Sequence, residues 1–330
     1  MSFGYLGHLG IKEEAVFGYE GDDEFVYEEL VSETIMMENS YLNNEVTDGL
    51  RSRKGALLGR VSAGGAIEMQ LKPEGAIPWI LKGLQGSVDS HIQSEGIYEH
   101  VFTPMQTQYL PSYSLLITQN QSSQLWLGCT FSGATLSIAN DDYVGLGLRV
   151  ISQRPMESSF LSPPFFRNIS PCTANSVTFM LNGETNAKIE KFSMDIENNV
   201  LPIHTLNGRR YCRKHSAGKY AIEGRITLEY ETESEMERLW GYPTASYPTE
   251  TVAPGSLSFT IDNPYEISEG GCCRFTFDLP EIYYRSAQAN ITNAGDRILQ
   301  TVSFFATYNR FAEKTMDIVL RNSESGYSIA

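Results

Sequence analysis

The amino-acid sequence predicts a mainly β protein made of two tandem modules, each with a short flanking helix and a long hairpin loop. Its 330 residues are enough for two domains of ordinary size. Its aromatic fraction of 11%, with 18 Tyr and 16 Phe, favours strands, in which aromatic side chains are enriched. An internal repeat then predicts that the two domains are copies of one unit.

Three glycines carry this repeat at one spacing of 159 positions: Gly49, Gly59 and Gly65 recur as Gly208, Gly218 and Gly224. In the same register Arg51 matches Arg210, and Ile67 matches Ile226. The flanking segments follow in the same order, with a strand-like segment before the glycines and a helix-like segment after them. The ordered match predicts a duplication.

Glycine and proline set the expected boundaries. Five glycines within the first 21 residues disfavour a long helix and predict an extended N-terminal arm over residues 1–24. Pro163 and Pro164 mark the boundary between a first module, residues 25–165, and a second module, residues 166–330. We expect each module to bury a core of its own.

In the first module, residues 25–35 are suited to a strand, and a second strand follows around Ile67 and Met69. Between them, residues 38–62 are polar, basic and rich in glycine, which predicts a long hairpin loop. Pro73 stands at a suitable first position for a helix that ends before Gly86.

The second module repeats this plan. Alternating apolar residues predict strands over residues 192–197 and 226–230, with a basic loop over residues 198–220 between them. A short helix is predicted over residues 233–240, because Gly241 and Pro243 stop it.

Alternation along the predicted strands separates a core face from a polar face. We expect the apolar set to face the core: Ile67, Met69, Phe192, Met194, Ile226 and Leu228. The acidic set is then expected on the polar faces: Glu68, Asp195, Glu197 and Glu229.

The formal charge of −15 argues against a protein that binds nucleic acid tightly, because that affinity comes from Lys and Arg. The charges are also segregated along the chain. Residues 13–29 hold eight acidic residues and no basic one, whereas basic residues cluster in the two predicted hairpin loops. Segregated charges of this kind are suitable for contacts between unlike faces of subunits.

No catalytic, metal or cofactor motif is present. The chain contains no nucleophile elbow, HExxH, Walker loop or GxGxxG. Its five cysteines include no CxxC pair, and its five histidines lack ligand-like spacing and fall mostly in segments predicted as loops. No apolar stretch reaches membrane-spanning length, and the start lacks the pattern of a secretion signal. We therefore expect no enzyme activity, no cofactor and no membrane contact.

Four segments carry a resemblance to a known family: GYLGHLGIKEEAVFGYEGDDEFVYEELVSETI, GLRSRKGALLGRVSAGGAIEMQL, YEHVFTP and the closing LRNSESGYSIA. In this order they resemble the tail tube proteins of long-tailed bacteriophages. The resemblance implies that both predicted modules are tail-tube-like β-barrels or β-sandwiches. It also implies stacked rings around a channel through which DNA passes unbound, in a virion protein assembled in the host cytoplasm.

A chain with two fused modules would fill a hexameric ring with three copies. The resemblance implies further partners among the other tail proteins, such as the tape measure, distal tail and terminator proteins. It also implies that the long loops and the arm reach neighbouring subunits or rings. The charged residues predicted to make these contacts are Arg51, Arg53, Lys54, Arg209, Arg210, Arg213, Lys214, Glu20, Asp22, Asp23 and Glu24. The acidic polar faces would line the channel and keep DNA from adhering.

Two alternatives stay open on the sequence. One is a tandem β-sandwich binding module, such as an adhesin or a carbohydrate binder, which could present Tyr98, Tyr109 and Tyr113 on its surface. The other is an enzyme with a dispersed carboxylate site on a β scaffold, because such sites have no local motif.

Overall fold

The computed structural model describes residues 7–20, 24–43, 52, 55–119, 122–158, 164–268, 271–291 and 297–327, and these residues are mainly β. The elements of the first half are β1 (Gly7–Glu13), β2 (Val26–Glu29), β3 (Ser32–Glu33), β4 (Met36–Asn43), β5 (Ala56–Gln70), α1 (Ile77–Gln85), β6 (Gly86–Ser94), β7 (Ile97–Pro104), β8 (Tyr113–Gln119), β9 (Ser122–Ala139), β10 (Gly145–Ser152) and β11 (Arg154–Ser158).

The elements of the second half are β12 (Val177–Leu181), β13 (Glu184–Thr185), β14 (Ile189–Glu197), β15 (Leu201–Ile203), β16 (Lys214–Ser216), β17 (Ala221–Glu229), α2 (Ser234–Trp240), β18 (Gly255–Ser268), β19 (Gly271–Ala289), β20 (Leu299–Ala306) and β21 (Asp317–Asn322). Helix α2 lies where the sequence predicts it, and α1 ends before Gly86 as predicted but begins at Ile77 and not at Pro73. Gly86 ends α1 with a left-handed φ of 88°, a conformation that glycine adopts without strain.

One antiparallel sheet runs through both halves in the order β4, β5, β10, β9, β14, β17, β20, β19. The halves meet in this sheet where β9 pairs with β14 over seven residue pairs, from Lys191 opposite Ala139 to Glu197 opposite Gly133, and they meet again where β7 pairs with β21. We call the β9–β14 pairing the internal junction. It joins the two predicted modules by main-chain hydrogen bonds. The proline positions that predicted the module boundary do not indicate this pairing.

The long strands β9 and β19 each belong to two groups of neighbours. The first part of β9 pairs with β8 and β11, and its second part pairs with β10 and β14. The first part of β19 pairs with β18 and β21, and its second part pairs with β20. The remaining strands extend these groups, with β1 and β2 beyond β8, and β7 and β6 beyond β21.

Several pairings of the two halves correspond, although the β6–β7 hairpin of the first half has no counterpart between α2 and β18. Gln70 lies opposite Gly145 in the first half, and Glu229 lies opposite Leu299 in the second. The ladders β9–β10 and β19–β20 each carry a register shift, at Arg149/Val150 and at Tyr284/Ser286. The correspondence supports the repeat that the glycine spacing predicts.

The predicted core alternation is confirmed. Every member of the apolar set defined from the sequence is at most 5% exposed. The expectation of two separate cores is wrong, however, because buried residues of both halves form one contiguous cluster. A sheet that continues across the internal junction places a continuous apolar layer behind it.

Two predicted irregular segments contain regular structure. Within the predicted arm, residues 7–13 form β1, which pairs on both sides with β2 and β8 and is largely buried. The predicted loop over residues 38–62 is largely a two-stranded ribbon, in which β4 and β5 stay paired out to Asn43 opposite Ala56. We call residues 36–43 and 56–63 the first-half ribbon. Pairing of the two strands gives the backbone N–H and C=O groups of this long segment hydrogen-bond partners, which an irregular loop of the same length would provide less completely.

Candidate functional site

The polar face of the shared sheet brings together all four acids of the predicted polar set. Across neighbouring strands Glu68 lies opposite Gly147, Gly147 opposite Thr135, Thr135 opposite Asp195, and Asp195 opposite Glu223. Glu197 and Glu229 lie on the same face of β14 and β17, because residues two positions apart share a face. We call this surface the polar sheet face.

Basic residues share the polar sheet face, and sequence reasoning missed them. Arg149 Nη2 donates to Glu197 Oε1 at 2.6 Å and lies 3.9 Å, through Nη1, from Asp195 Oδ1. Arg285 forms a two-pronged contact with Glu223 at 2.9 and 3.0 Å. Lys191 and Arg225 also belong to this face. The face is therefore mixed in charge and not uniformly acidic.

Alternation along β10 was the available signal for Arg149, because Leu148 and Val150 on either side of it are buried. Arg285 had no such signal. It occupies the register shift of β19, where the alternation of side chains is interrupted.

The predicted basic loop over residues 198–220, called the second-half loop, folds against the first half. Arg210 Nε donates to Gly59 O at 2.8 Å, and the carbonyl of Arg210 accepts from Val61 N at 3.0 Å. The ammonium of Lys214 contacts the hydroxyl of Tyr109 and lies 4.0 Å from the centroid of its ring. Two of the predicted contact residues are thus engaged within the chain.

The other predicted contact residues have varied surroundings. Arg209 and Arg213 are exposed, and Arg209 lies 5.6 Å from the ring centroid of Tyr211. Glu20 forms an ion pair with Lys12 at 2.7 Å, and Glu24 is exposed. The remaining predicted contact residues lie outside the described residues, and they are Arg51, Arg53, Lys54, Asp22 and Asp23.

A buried polar cluster anchors the second-half loop. Cys212 Sγ lies 3.3 Å from His215 Nε2, and His215 Nδ1 lies 3.0 Å from Thr130 Oγ1 on β9. Gln153 Nε2 donates to the carbonyl of Cys212 at 3.0 Å, and the ring of Phe17 packs edge-on against His215. The loop is therefore fixed by side chains from three separate parts of the first half.

Burial keeps this cluster uncharged. It lowers the pKa of His215 to about 4, with a smaller contribution from His204, and it raises the pKa of Cys212 to about 11. A neutral imidazole beside a neutral thiol is suited to packing and not to nucleophilic chemistry. The expectation that the histidines fall mostly in loops is wrong, because His8, His91, His100 and His215 lie in strands.

The tyrosines of the alternative binding module do not form one surface. Tyr113 is fully buried and stacks on Phe131 with 5.0 Å between ring centroids. Tyr109 is 46% exposed, but its ring is covered by Lys214. The expectation that Tyr113 is a surface residue is wrong, because its position in β8 faces helix α1 and the core. The described helices include none long and apolar enough to cross a membrane.

Two sheet edges are open in the described part of the chain. No described strand pairs with the outer side of β19 over residues 283–289, or with the outer side of β3 and β4. The edge at β4 carries large apolar side chains, since Met36 is 57% exposed and Met37 is 43% exposed. Open edges of this kind are templates for pairing with another chain.

Comparison with known families gives one match. The family described as Phage tail tube protein matches residues 4–306, nearly the whole chain. Comparison with curated proteins gives no match.

Proposed function

The chain belongs to the phage tail tube protein family, and from this premise we propose that it polymerises into stacked rings that form the tail tube. The tube is a channel for DNA ejection into the host, and three chains make each ring with pseudo-sixfold symmetry. In this proposal residues 25–165 and 166–330 are two equivalent modules. The protein is a virion component, assembled in the host cytoplasm, and it meets other tail proteins at the ends of the tube.

The internal junction is the observation that carries this proposal. There the second part of β9 receives β14 as a neighbour. Among the described residues, no strand fills the corresponding slot beside the second part of β19 or pairs with the outer edge of β3 and β4, the counterpart of β14. One chain therefore contains one completed contact, the internal junction. It also presents the two unpaired edges that would form an equivalent contact between chains. Identical contacts between chains would close a ring.

The correspondence of the halves gives the register of the contact between chains. Gln70 of β5 corresponds to Glu229 of β17, which lies 159 positions later in the chain. With the same spacing, Met36 corresponds to Asp195. Ala134 opposite Leu148 corresponds to Ala287 opposite Val302, so Thr135 corresponds to Gln288. Because Asp195 lies opposite Thr135, Met36 of one chain lies opposite Gln288 of the next.

The polar sheet face lines the channel in this arrangement. Its charged residues include the acids Glu38, Glu68, Asp195, Glu197, Glu223 and Glu229 and the bases Arg149, Lys191, Arg225 and Arg285. Ion pairs occupy Arg149 and Arg285, so neither presents a free cation to a phosphate. Binding to DNA depends on cations that release counterions from the backbone. Lys191 and Arg225 stand outside these ion pairs, but the acids on the same face repel phosphates, so the face lets DNA pass without holding it.

Electron microscopy of the purified protein tests the proposal. We expect tubes or stacked rings, with a mass of three chains for each isolated ring. Six chains in a ring would contradict the role of the second module in the channel wall. Dispersed monomers that bind a ligand would favour the alternative of a tandem β-sandwich binding module.

A further inference from the structure

A polar groove lies beside the start of α2 in the second half. Four acids line it, namely Glu184, Glu229, Glu231 and Glu235, together with the bases Lys188 and Arg238. Lys188 already contacts Glu231, and Glu235 accepts a hydrogen bond from the hydroxyl of Tyr284 at 2.6 Å. Glu184 is exposed at the rim, and we call this feature the acidic groove.

Gln300 also lines the acidic groove and lacks partners there. Its side chain is completely buried, and neither Nε2 nor Oε1 has a hydrogen-bond partner among the described residues. A buried amide without partners costs about 1 to 3 kcal/mol. The corresponding position in the first half is Leu146, which pairs with Met69 as Gln300 pairs with Leu228. A polar amide therefore stands where the first half has an apolar side chain. In the unassembled chain this amide gains no hydrogen bond from the described residues that would offset the cost of its burial.

The acidic groove and the second-half loop lie at opposite ends of the same strands. The loop joins the ends of β14 and β17 at Glu197 and Ala221, and the groove lies at the far end near Glu229. Eight residue steps along β17 separate these ends by about 26 Å. The loop holds five basic residues and no acidic one within residues 198–220. One chain thus carries complementary charges on two opposite surfaces.

We propose that the acidic groove receives an arginine side chain from the second-half loop of another copy in the adjacent ring, with Arg209 and Arg213 as the donors. The inference rests on the proposed function and names the acceptor of its stacking contact. A guanidinium offers five donors in a fixed fork, which the carboxylates and Oε1 of Gln300 can accept. The loop also presents backbone carbonyls that can accept from Nε2 of Gln300. Unlike faces that meet in this way produce an open stack.

This assignment replaces the acceptors expected from sequence. Glu20 is held by Lys12, and the turn that precedes Glu20 packs through Phe17 against His215 of the second-half loop. Glu20 therefore lies at the same end of the molecule as the basic loop. Acceptors for a head-to-tail contact must lie at the opposite end, where the acidic groove is.

The test begins with charge reversal in the loop. We expect Arg213→Glu combined with Arg209→Glu to leave rings intact and to lower the yield of stacked tubes about tenfold or more, because like charges then meet in the groove. Lys219→Glu is the matched control for Arg213→Glu, since it makes the same charge change at another exposed position of the same loop. Adding Glu184→Arg and Glu229→Arg to the double variant should restore stacking.

Gln300→Leu provides a second measurement that does not depend on net charge. We expect it to raise the thermal stability of the unassembled chain, because it removes a buried amide without partners, and to lower tube yield. Both effects together support the inference. Normal stacking of Gln300→Leu and of the charge-reversal variant would overturn it.

Two further outcomes separate the possible failures. Absence of rings and tubes from the wild-type chain would overturn the proposed function, and this inference with it. Titration of the unassembled chain with Mg²⁺ tests a different occupant. Binding that is lost in Glu184→Arg, with stacking unchanged in that variant, would make the groove a cation site and overturn the loop as its occupant.

Discussion

The two hairpin excursions correspond in sequence but differ in their surroundings. The first-half ribbon is exposed, with Tyr41, Leu42, Leu57 and Leu58 each more than half exposed. The second-half loop is folded against the first half through Arg210 and the buried cluster around His215. In the proposed ring the difference follows from connectivity. The second-half loop docks within its own chain, in part on Gly59 and Val61 of the ribbon, whereas the outer edge of the ribbon at β4 meets another copy.

The same difference holds for the sheet edges. The slot on β9 is filled by β14 of the same chain, and the slot on β19 is open. A contact that is completed inside the chain therefore serves as a template for the contact between chains. The following experiments test how far this equivalence extends, and they are ordered from the largest expected effect to the smallest.

A disulfide between chains tests the register directly. We expect Met36→Cys with Gln288→Cys to crosslink nearly all chains in assembled rings. Directly opposed residues of antiparallel strands have Cα atoms about 4.5 to 5.5 Å apart, within the range of a disulfide. Covalent trimers on a non-reducing gel would be the readout.

The matched control is Met36→Cys with Ala287→Cys, one residue out of register. Its two cysteines point to opposite faces of the sheet and should not crosslink. Equal crosslinking of both pairs would show that the internal junction is not the template.

Removing the carboxylate of Glu14 should destabilise the N-terminal segment that packs against the second-half loop. Glu14 is buried and accepts hydrogen bonds from Gly18 N, Ser112 Oγ, Ser114 Oγ and Gly128 N at 2.8 to 2.9 Å. Glu14→Ala leaves these donors without a partner, so we expect a loss of about 3 to 5 kcal/mol in the free energy of unfolding. Denaturant titration measures it.

Glu223→Ala is the control for Glu14→Ala, because the exposed pair of Glu223 with Arg285 is worth only about 0 to 1 kcal/mol. Similar losses in both variants would mean that the N-terminal segment is not anchored by Glu14.

Acid should release the second-half loop before the first-half strands unfold. The pKa of His215 is lowered to about 4 by burial, below the ordinary value of 6.5 in the unfolded chain. The neutral form is favoured in the folded state, so this contribution to stability is complete above about pH 6.5. It is lost as the pH falls toward 4, by roughly 3 kcal/mol.

Alkylation of Cys212, measured against pH, reports the release of the loop. Its rate relative to a free thiol at the same pH should rise as the pH falls from 6.5 to 4. His215→Phe should remove this dependence on pH. A relative alkylation rate that does not change with pH in the wild-type chain would mean that protonation of His215 does not release the loop.

The smallest expected effect concerns the two neighbouring arginines. Arg210→Ala removes the hydrogen bond to Gly59 O and should lower the stability of the unassembled chain by about 1 to 2 kcal/mol. Arg209→Ala should change it by less than about 0.5 kcal/mol, because Arg209 is exposed. Thermal unfolding of both variants checks the contrast, and a reversed order would mean that Arg210 does not dock the loop.

The fold class, the two helices and the core face of the strands were predictable from sequence. Alternation with a period of two places Ile67, Met194 and Ile226 in the core whatever lies beyond their own strands. Gly86 and Gly241 end the helices for local reasons of backbone conformation. These properties depend on residues that are close in sequence, so the amino-acid sequence of one chain is sufficient to predict them.

The tertiary structure alone decided which strands meet and which charges pair. Lys191 and Ala139 are far apart in sequence, and no local pattern indicates that β14 completes the sheet of β9. The pairing of Arg149 with Glu197 and the buried, unpartnered amide of Gln300 follow from that arrangement. Charge segregation was visible in the sequence, but the end of the molecule at which each charge lies was not. Hydrogen bonding between distant strands fixes those positions, and it leaves no periodic signal in sequence.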